Sequence, residues 1–155
     1  NVGAYAVQLA KRAQLKVAAT ASSNDAPLLR KLGADLVIDY HSEKFEDVLS
    51  TVDIVLDTVG GETKRRSFSV LKKTGILVSA VSGNDADVPP GREQQAVFFL
   101  VEVTTARLDD LTRRFHAGAL KAQVGSRLPL AEARPAHEML AGAPHARGKI
   151  VLQVA

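Results

Sequence analysis

The chain has 155 residues and a mass of 16.5 kDa, enough for one ordinary domain and too little for two full ones. Apolar residues make up 46% and charged residues 24%, so the chain can bury a core and is not disordered. It holds no cysteine, which excludes disulfides, a thiolate nucleophile and cysteine-ligated zinc or iron–sulfur sites within these residues. A net charge of +3 is too small to point to nucleic acid without a basic patch to go with it. No apolar run approaches the roughly 18 residues of a membrane span, and the first residues read as neither signal nor transit peptide. A soluble, cytoplasmic α/β protein with no membrane partner is expected.

Asn1 is not an initiator, and residues 2–7 already read as the entry to a helix. The chain is therefore expected to begin inside a domain; the alternative is tag removal from a domain that starts here. Residues 3–14 carry Ala6, Val7, Ala10 and Ala13 at helical spacing, with Lys11, Arg12 and Gln14 on the other side. Residues 16–21 form a short buried strand, and Ser22-Ser23-Asn24-Asp25 a turn. The next helix holds Leu28, Leu29 and Leu32 and stops at Gly33. Residues 36–38 are a strand, 42–50 a short helix, and 53–57 a strand whose continuous apolar centre suits a sheet covered on both faces. Gly60-Gly61 opens a helix carrying Phe68 and Leu71 and ended near Gly75, and residues 76–80 are another strand. Four such alternations in about 80 residues mean right-handed βαβ units and a parallel, doubly wound α/β sheet.

Past residue 81 the rhythm changes. Ser82-Gly83-Asn84-Asp85 through Pro89-Pro90-Gly91 is a polar loop. Residues 96–101 are the most β-prone run in the chain; being apolar and last in the sheet order, they are expected at an edge. A helix over 105–117 places Leu108, Leu111 and Phe115 on one face before Gly118. The tail holds a helix around 132–141, with Pro135 in its first turn, and a final strand over 149–154.

Parallel α/β sheets bind ligands beyond the carboxyl ends of their strands, so the loops there carry the search for function. A glycine-rich turn before the first helix would cradle a pyrophosphate with backbone N–H groups. Only Gly3 stands where such a turn would end, and one glycine does not define it. After the 16–21 strand, a site built for an unphosphorylated ribose wants a carboxylate. The chain instead offers Thr20-Ala21-Ser22-Ser23, with no acid before Asp25, which suits a 2′-phosphate better. Ser22 and Ser23 fit equally well as caps of the next helix.

Four segments then align, in order, with one family. Gly3-Ala4-Tyr5-Ala6-Val7-Gln8-Leu9-Ala10-Lys11 resembles the first helix of medium-chain dehydrogenase/reductases, in the quinone oxidoreductase (zeta-crystallin-like) branch. Leu32-Gly33-Ala34-Asp35-Leu36-Val37-Ile38-Asp39-Tyr40 is similar to that branch's third-strand segment. Asp53-Ile54-Val55-Leu56-Asp57-Thr58-Val59-Gly60-Gly61 resembles its fourth strand, and Gly148-Lys149-Ile150-Val151-Leu152 its closing strand. The resemblance covers the C-terminal, nucleotide-binding half of such enzymes. It implies a Rossmann-like doubly wound sheet whose first strand lies outside the chain, with residues 1–125 as the truncated NAD(P)-binding domain. Residues 126–155 would return to a GroES-like catalytic domain, also outside the chain.

The resemblance further implies an NADP-dependent enzyme acting on a small-molecule quinone, activated alkene or carbonyl by hydride transfer. Gly3 would close the phosphate turn, and Ser22, Ser23 and Tyr40 would sit by the 2′-phosphate and adenosine of NADP(H). Gly60 would lie under the adenine-side ribose, and Val81, Ser82, Phe99 and Val101 would line the nicotinamide end. Many relatives add a lysine after the serines; here Asp25 stands near that place, which weakens the NADP assignment. A homodimer through the 96–101 strand is implied, and the 155 residues alone are expected to be inactive, with a loosely packed end.

No catalytic residue is assigned. His41, His116, His137 and His145 are scattered without metal-ligand spacing, so no metal site is expected. Asp57 at a strand end fits a cap of the following turn, and Lys64-Arg65-Arg66 reads as a solvated basic face. The lack of a nucleophile or proton donor fits hydride chemistry, in which the cofactor carries the hard step. Two other readings stand beside this one: a zinc-dependent alcohol dehydrogenase of the same superfamily, and a non-enzymatic, crystallin-like dinucleotide- or RNA-binding protein using that basic face.

Overall fold

A computed structural model describes residues 2–83 and 88–154; Asn1 and residues 84–87 of the expected polar loop lie outside the described residues. The chain divides into two compact units, Val2–Thr105 and Ala106–Ala155. The first opens with α1 (Val2–Arg12), β1 (Ala18–Ala21), α2 (Ala26–Leu32) and β2 (Leu36–Asp39). It continues with α3 (Phe45–Val48), β3 (Val52–Asp57), α4 (Gly61–Ser67), β4 (Leu71–Ser79) and β5 (Gln95–Phe98). All strand pairs are parallel, in the sets β1-β2 and β3-β4-β5, which gives a Rossmann-like α/β unit. The pairing breaks between β1 and β3, where the resemblance puts a further strand.

Local chemistry explains the elements. α2 ends at Gly33, whose φ of 110° a side chain rarely adopts, and a Cβ there would stand 2.7 Å from Lys11 Cγ of α1. α1 is further tied down by Asp35, which accepts from Lys11 Nζ at 2.6 Å and from the Val17 N–H at 2.8 Å. Two apolar clusters hold the first unit together. Ile38, Phe45 and Val70 form one, and Phe68, Leu71 and Leu77 the other; Val52 and Val55 of β3 pack against both. Arg66 of α4 grips Glu46 of α3 with two hydrogen bonds, 2.5 and 2.7 Å, and lies over the Phe45 ring.

Four expectations change. The helix expected to run past Leu71 stops at Ser67; Phe68–Val70 is a tighter 3-10 turn, and Leu71 already begins β4. Burying Phe68 and Leu71 in one cluster is compatible with either period, so spacing alone does not decide between helix and strand. The 42–50 helix shrinks to the single turn of α3. β3 is not covered on both faces, since Ile54 and Leu56 are exposed. The 96–101 run is a regular strand only through Phe98, so Phe99 and Val101 lie beyond β5. β5 does take the edge of its sheet.

The second unit holds nearly all of α5 (Thr105–His116), then β6 (Val124–Pro129), α6 (Ala133–Leu140) and β7 (Lys149–Gln153), with β6 parallel to β7. β6 does not stand out in the sequence, because Gly125 and Pro129 dilute its strand signal. Gly125 is required there: a Cβ would come within 2.3 Å of the Ala146 carbonyl oxygen. Among described apolar residues of this unit, Leu120 and Ala136 are the buried ones. Among the described residues no helix is long and apolar enough to cross a membrane.

Candidate functional site

The carboxyl ends of β3 and β4 converge on one polar cluster. β3 ends in Asp57, 4% exposed, and β4 ends in Ser79, 1% exposed; the two are paired in register. The Ser79 hydroxyl donates to Asp57 Oδ2 at 2.7 Å. Asp57 Oδ1 accepts the backbone N–H of Val59 at 3.0 Å and of Gly60 at 2.8 Å. Asp57 thus caps its own turn, as its position at the strand end suggests. Ser79 Oγ in turn accepts the N–H groups of Val81 at 3.2 Å and Ser82 at 3.3 Å. One carboxylate and one hydroxyl therefore hold two turns through their backbone donors.

Gly60 makes the close approach of those turns possible. Its φ is 82°, and a Cβ would meet Val81 Cγ1 at 3.2 Å. The Phe99 N–H reaches the Ser79 carbonyl at 3.4 Å, bringing the end of β5 to the same edge. The structure so gathers Gly60, Val81, Ser82 and Phe99. Val101 stands further along the chain and is 72% exposed.

Ser22 and Tyr40 form a second group at the carboxyl ends of β1 and β2, where the Tyr40 N–H bonds the Ala21 carbonyl at 3.3 Å. Ser22 is nearly buried but makes no side-chain cap hydrogen bond to a helix N–H; its hydroxyl donates instead to Asp25 Oδ2 at 3.1 Å. The capping role that spacing allows for Ser22 is therefore not the one it plays. Ser23 is exposed in the 3-10 turn Ser23–Asp25. Tyr40 is 58% exposed, with its ring 4.2 Å from that of His41. Gly3 lies in the first turn of α1, and nothing stands within 4 Å of where its Cβ would be.

The residue that sequence reasoning misses is Lys64. Its neighbours place it on a solvated basic face with Arg65 and Arg66, yet it is 2% exposed and donates to the Ser82 carbonyl at 3.1 Å. Arg66 is committed to Glu46. The three cations therefore do not make a continuous surface for RNA. A lysine inside the first turns of a helix that begins at a strand's carboxyl end is the available signal.

The sequence model of the zinc-binding dehydrogenase family matches residues 32–152. The chain belongs to that family. Its relatives include quinone and alkenal oxidoreductases of the medium-chain dehydrogenase/reductase superfamily, of which it matches about half or less. It is 36% identical over 155 residues to the chloroplastic NADPH-dependent alkenal/one oxidoreductase of Arabidopsis thaliana, with 98% of this chain and 38% of that protein aligned. The solved quinone oxidoreductase of Coxiella burnetii superposes with a TM-score of 0.88 at 34% identity, covering 100% of this chain and 50% of that one. The Escherichia coli quinone oxidoreductase, solved with NADPH, gives 0.78 at 27% identity, covering 97% and 54%. The chain thus spans about half the length of these solved relatives, and less of the plant one.

The family's name implies zinc. Among the described residues no three His, Cys, Asp or Glu side chains stand together as metal ligands do, and the chain has no cysteine. The described residues do not fit the metal.

Proposed function

We propose that the chain is the cofactor-binding portion of an NADPH-dependent oxidoreductase that reduces quinones or other electron-poor alkenes and carbonyls. The observation that carries this reading is the gathering of Gly60, Val81, Ser82 and Phe99 at one carboxyl edge of a parallel sheet, the place where such sheets take dinucleotides. Support comes also from the relatives, one named NADPH-dependent and another solved with NADPH.

Bound NADPH would supply the hydride, and the protein's part is to hold and orient it. Gly3, in the first turn of α1, suits the pyrophosphate as the last glycine of a phosphate turn. The Ser22 hydroxyl, here turned to Asp25, would serve the 2′-phosphate end by swinging its proton from that carboxylate to the phosphate, and the exposed Tyr40 ring offers a face for the adenosine. Gly60 would lie under the adenine-side ribose, and Val81, Ser82 and Phe99 would flank the nicotinamide end. The substrate would sit between this edge and a catalytic domain outside the chain, so the 155 residues alone should bind cofactor without turnover.

A second proposal concerns assembly. β5 lies at a sheet edge, and Leu100 and Val101 just after it are 81% and 72% exposed. An apolar, unpaired edge of this kind suits a two-fold partner, and we propose a homodimer through residues 96–101.

Titrating the protein with NADPH and with NADH, followed by nicotinamide fluorescence, tests the cofactor reading. Tighter binding of NADPH is expected. Tighter NADH binding would overturn it and give the ribose to Asp25.

A further inference from the structure

We infer that Lys64 is a positioning residue for the cofactor, acting through the carbonyl of Ser82; this rests on reading the β3–β4 carboxyl edge as a nicotinamide-cofactor site. The starting point is where the lysine is. An ammonium group is among the most costly to take out of water, and it stays inside only where acceptors hold it. Lys64 is 2% exposed, while Arg65 beside it faces solvent and Arg66 turns to Glu46. A leucine or methionine would fill the same volume without that cost. The charge therefore has work that packing does not explain.

That work is visible in the backbone of the 81–82 turn. Its N–H groups are held from the strand side by Ser79 Oγ, at 3.2 and 3.3 Å. Its Ser82 carbonyl is held from the helix side by Lys64 Nζ, at 3.1 Å. Both polar faces of one turn are thereby fixed, by residues from two different elements. The same turn carries Val81, which packs within reach of Gly60, and Gly60 is itself pinned through Asp57. Lys64, Ser79 and Asp57 form one bracket that fixes both turns.

Such a bracket matters for hydride transfer in particular. The reaction requires the nicotinamide ring at contact distance from its acceptor, and a misplacement of about 1 Å costs rate steeply. A charged donor bonds a carbonyl more strongly than a neutral one, so it narrows the range of the turn. Loosening it should act on the nicotinamide half of the cofactor and spare the adenosine half, which the separate group at Ser22 and Tyr40 would hold.

The experiment compares wild type with Lys64→Met, which keeps the stem and removes the donor, and with Lys64→Arg. Amide hydrogen exchange at Val81 and Ser82 is measured alongside titrations with NADPH and with 2′,5′-ADP, which carries the adenosine end alone. In Lys64→Met, exchange at both amides should speed up and NADPH should bind about tenfold more weakly, on the scale of one charged hydrogen bond. Binding of 2′,5′-ADP should stay unchanged, and Lys64→Arg should restore NADPH affinity. Equal losses for the two ligands, or unaltered exchange, would make Lys64 a packing residue and overturn the inference. If Lys64→Met does not fold, Lys64→Gln takes its place, and NADPH affinity equal to wild type then overturns it. Wild type that binds 2′,5′-ADP but not NADPH, or neither ligand, would instead bring down the cofactor reading itself.

Discussion

Replacing Asp57 with asparagine should destabilise the fold far more than its single-atom change suggests. The carboxylate accepts three hydrogen bonds, two from the N–H groups of Val59 and Gly60 and one from the Ser79 hydroxyl. The amide that replaces it has one acceptor oxygen. If that oxygen stays on the two N–H groups, the new NH2 faces a Ser79 Oγ that already accepts from Val81 and Ser82, and the hydroxyl proton loses its acceptor. If the amide flips, the NH2 confronts two N–H donors. Either way at least one buried donor is left unpaired and the remaining bonds lose the help of charge. At about 1–3 kcal/mol per orphaned group, Asp57→Asn should cost roughly 2–4 kcal/mol. Urea unfolding is the assay, and the midpoint should fall by about 1–2 M at an ordinary m-value. The cost should shrink in a Ser79→Ala background by about 1 kcal/mol or more, because the two side chains act together. A loss under about 0.5 kcal/mol, or strict additivity with Ser79→Ala, would refute the bracket.

Three further outcomes follow from other parts of the chain. An acid at Ser22 (Ser22→Asp), added beside Asp25, should weaken NADPH binding by roughly 1–3 kcal/mol through repulsion of the 2′-phosphate and leave NADH little affected, as read by titration. The Arg66 hydrogen bonds hold the Glu46 carboxyl below its ordinary range. This pair therefore contributes stability above the ordinary glutamate range, lost as pH falls through the lowered value, so Glu46→Gln should flatten the acid limb of stability against pH; an unchanged limb would contradict the pairing. Light scattering at micromolar concentration should show a dimer that Val97→Lys converts to monomer, whereas a wild-type monomer would rule out pairing through β5.

Much of the fold is legible in local order. The alternation of short apolar strands with small-residue helices dictates parallel pairing, and glycines at positions such as Gly33 mark helix ends. These are short-range signals, set by backbone geometry within a few residues. The meeting of Gly60, Val81 and Ser82 at one sheet edge follows as well from their places just after strands. The roles of Lys64 and Ser22 are not legible in local order. Sequence neighbours make Lys64 look like part of a solvated cationic run and Ser22 like a helix cap. Lys64 is decided by a partner that only folding brings close, the Ser82 carbonyl eighteen residues away, and Ser22 by a choice between two local partners, the Asp25 carboxylate over a helix N–H. The exposure of Ile54 and Leu56 belongs to the same class. An apolar run records what a strand could bury, whereas the packed structure decides which of its faces meets a neighbour.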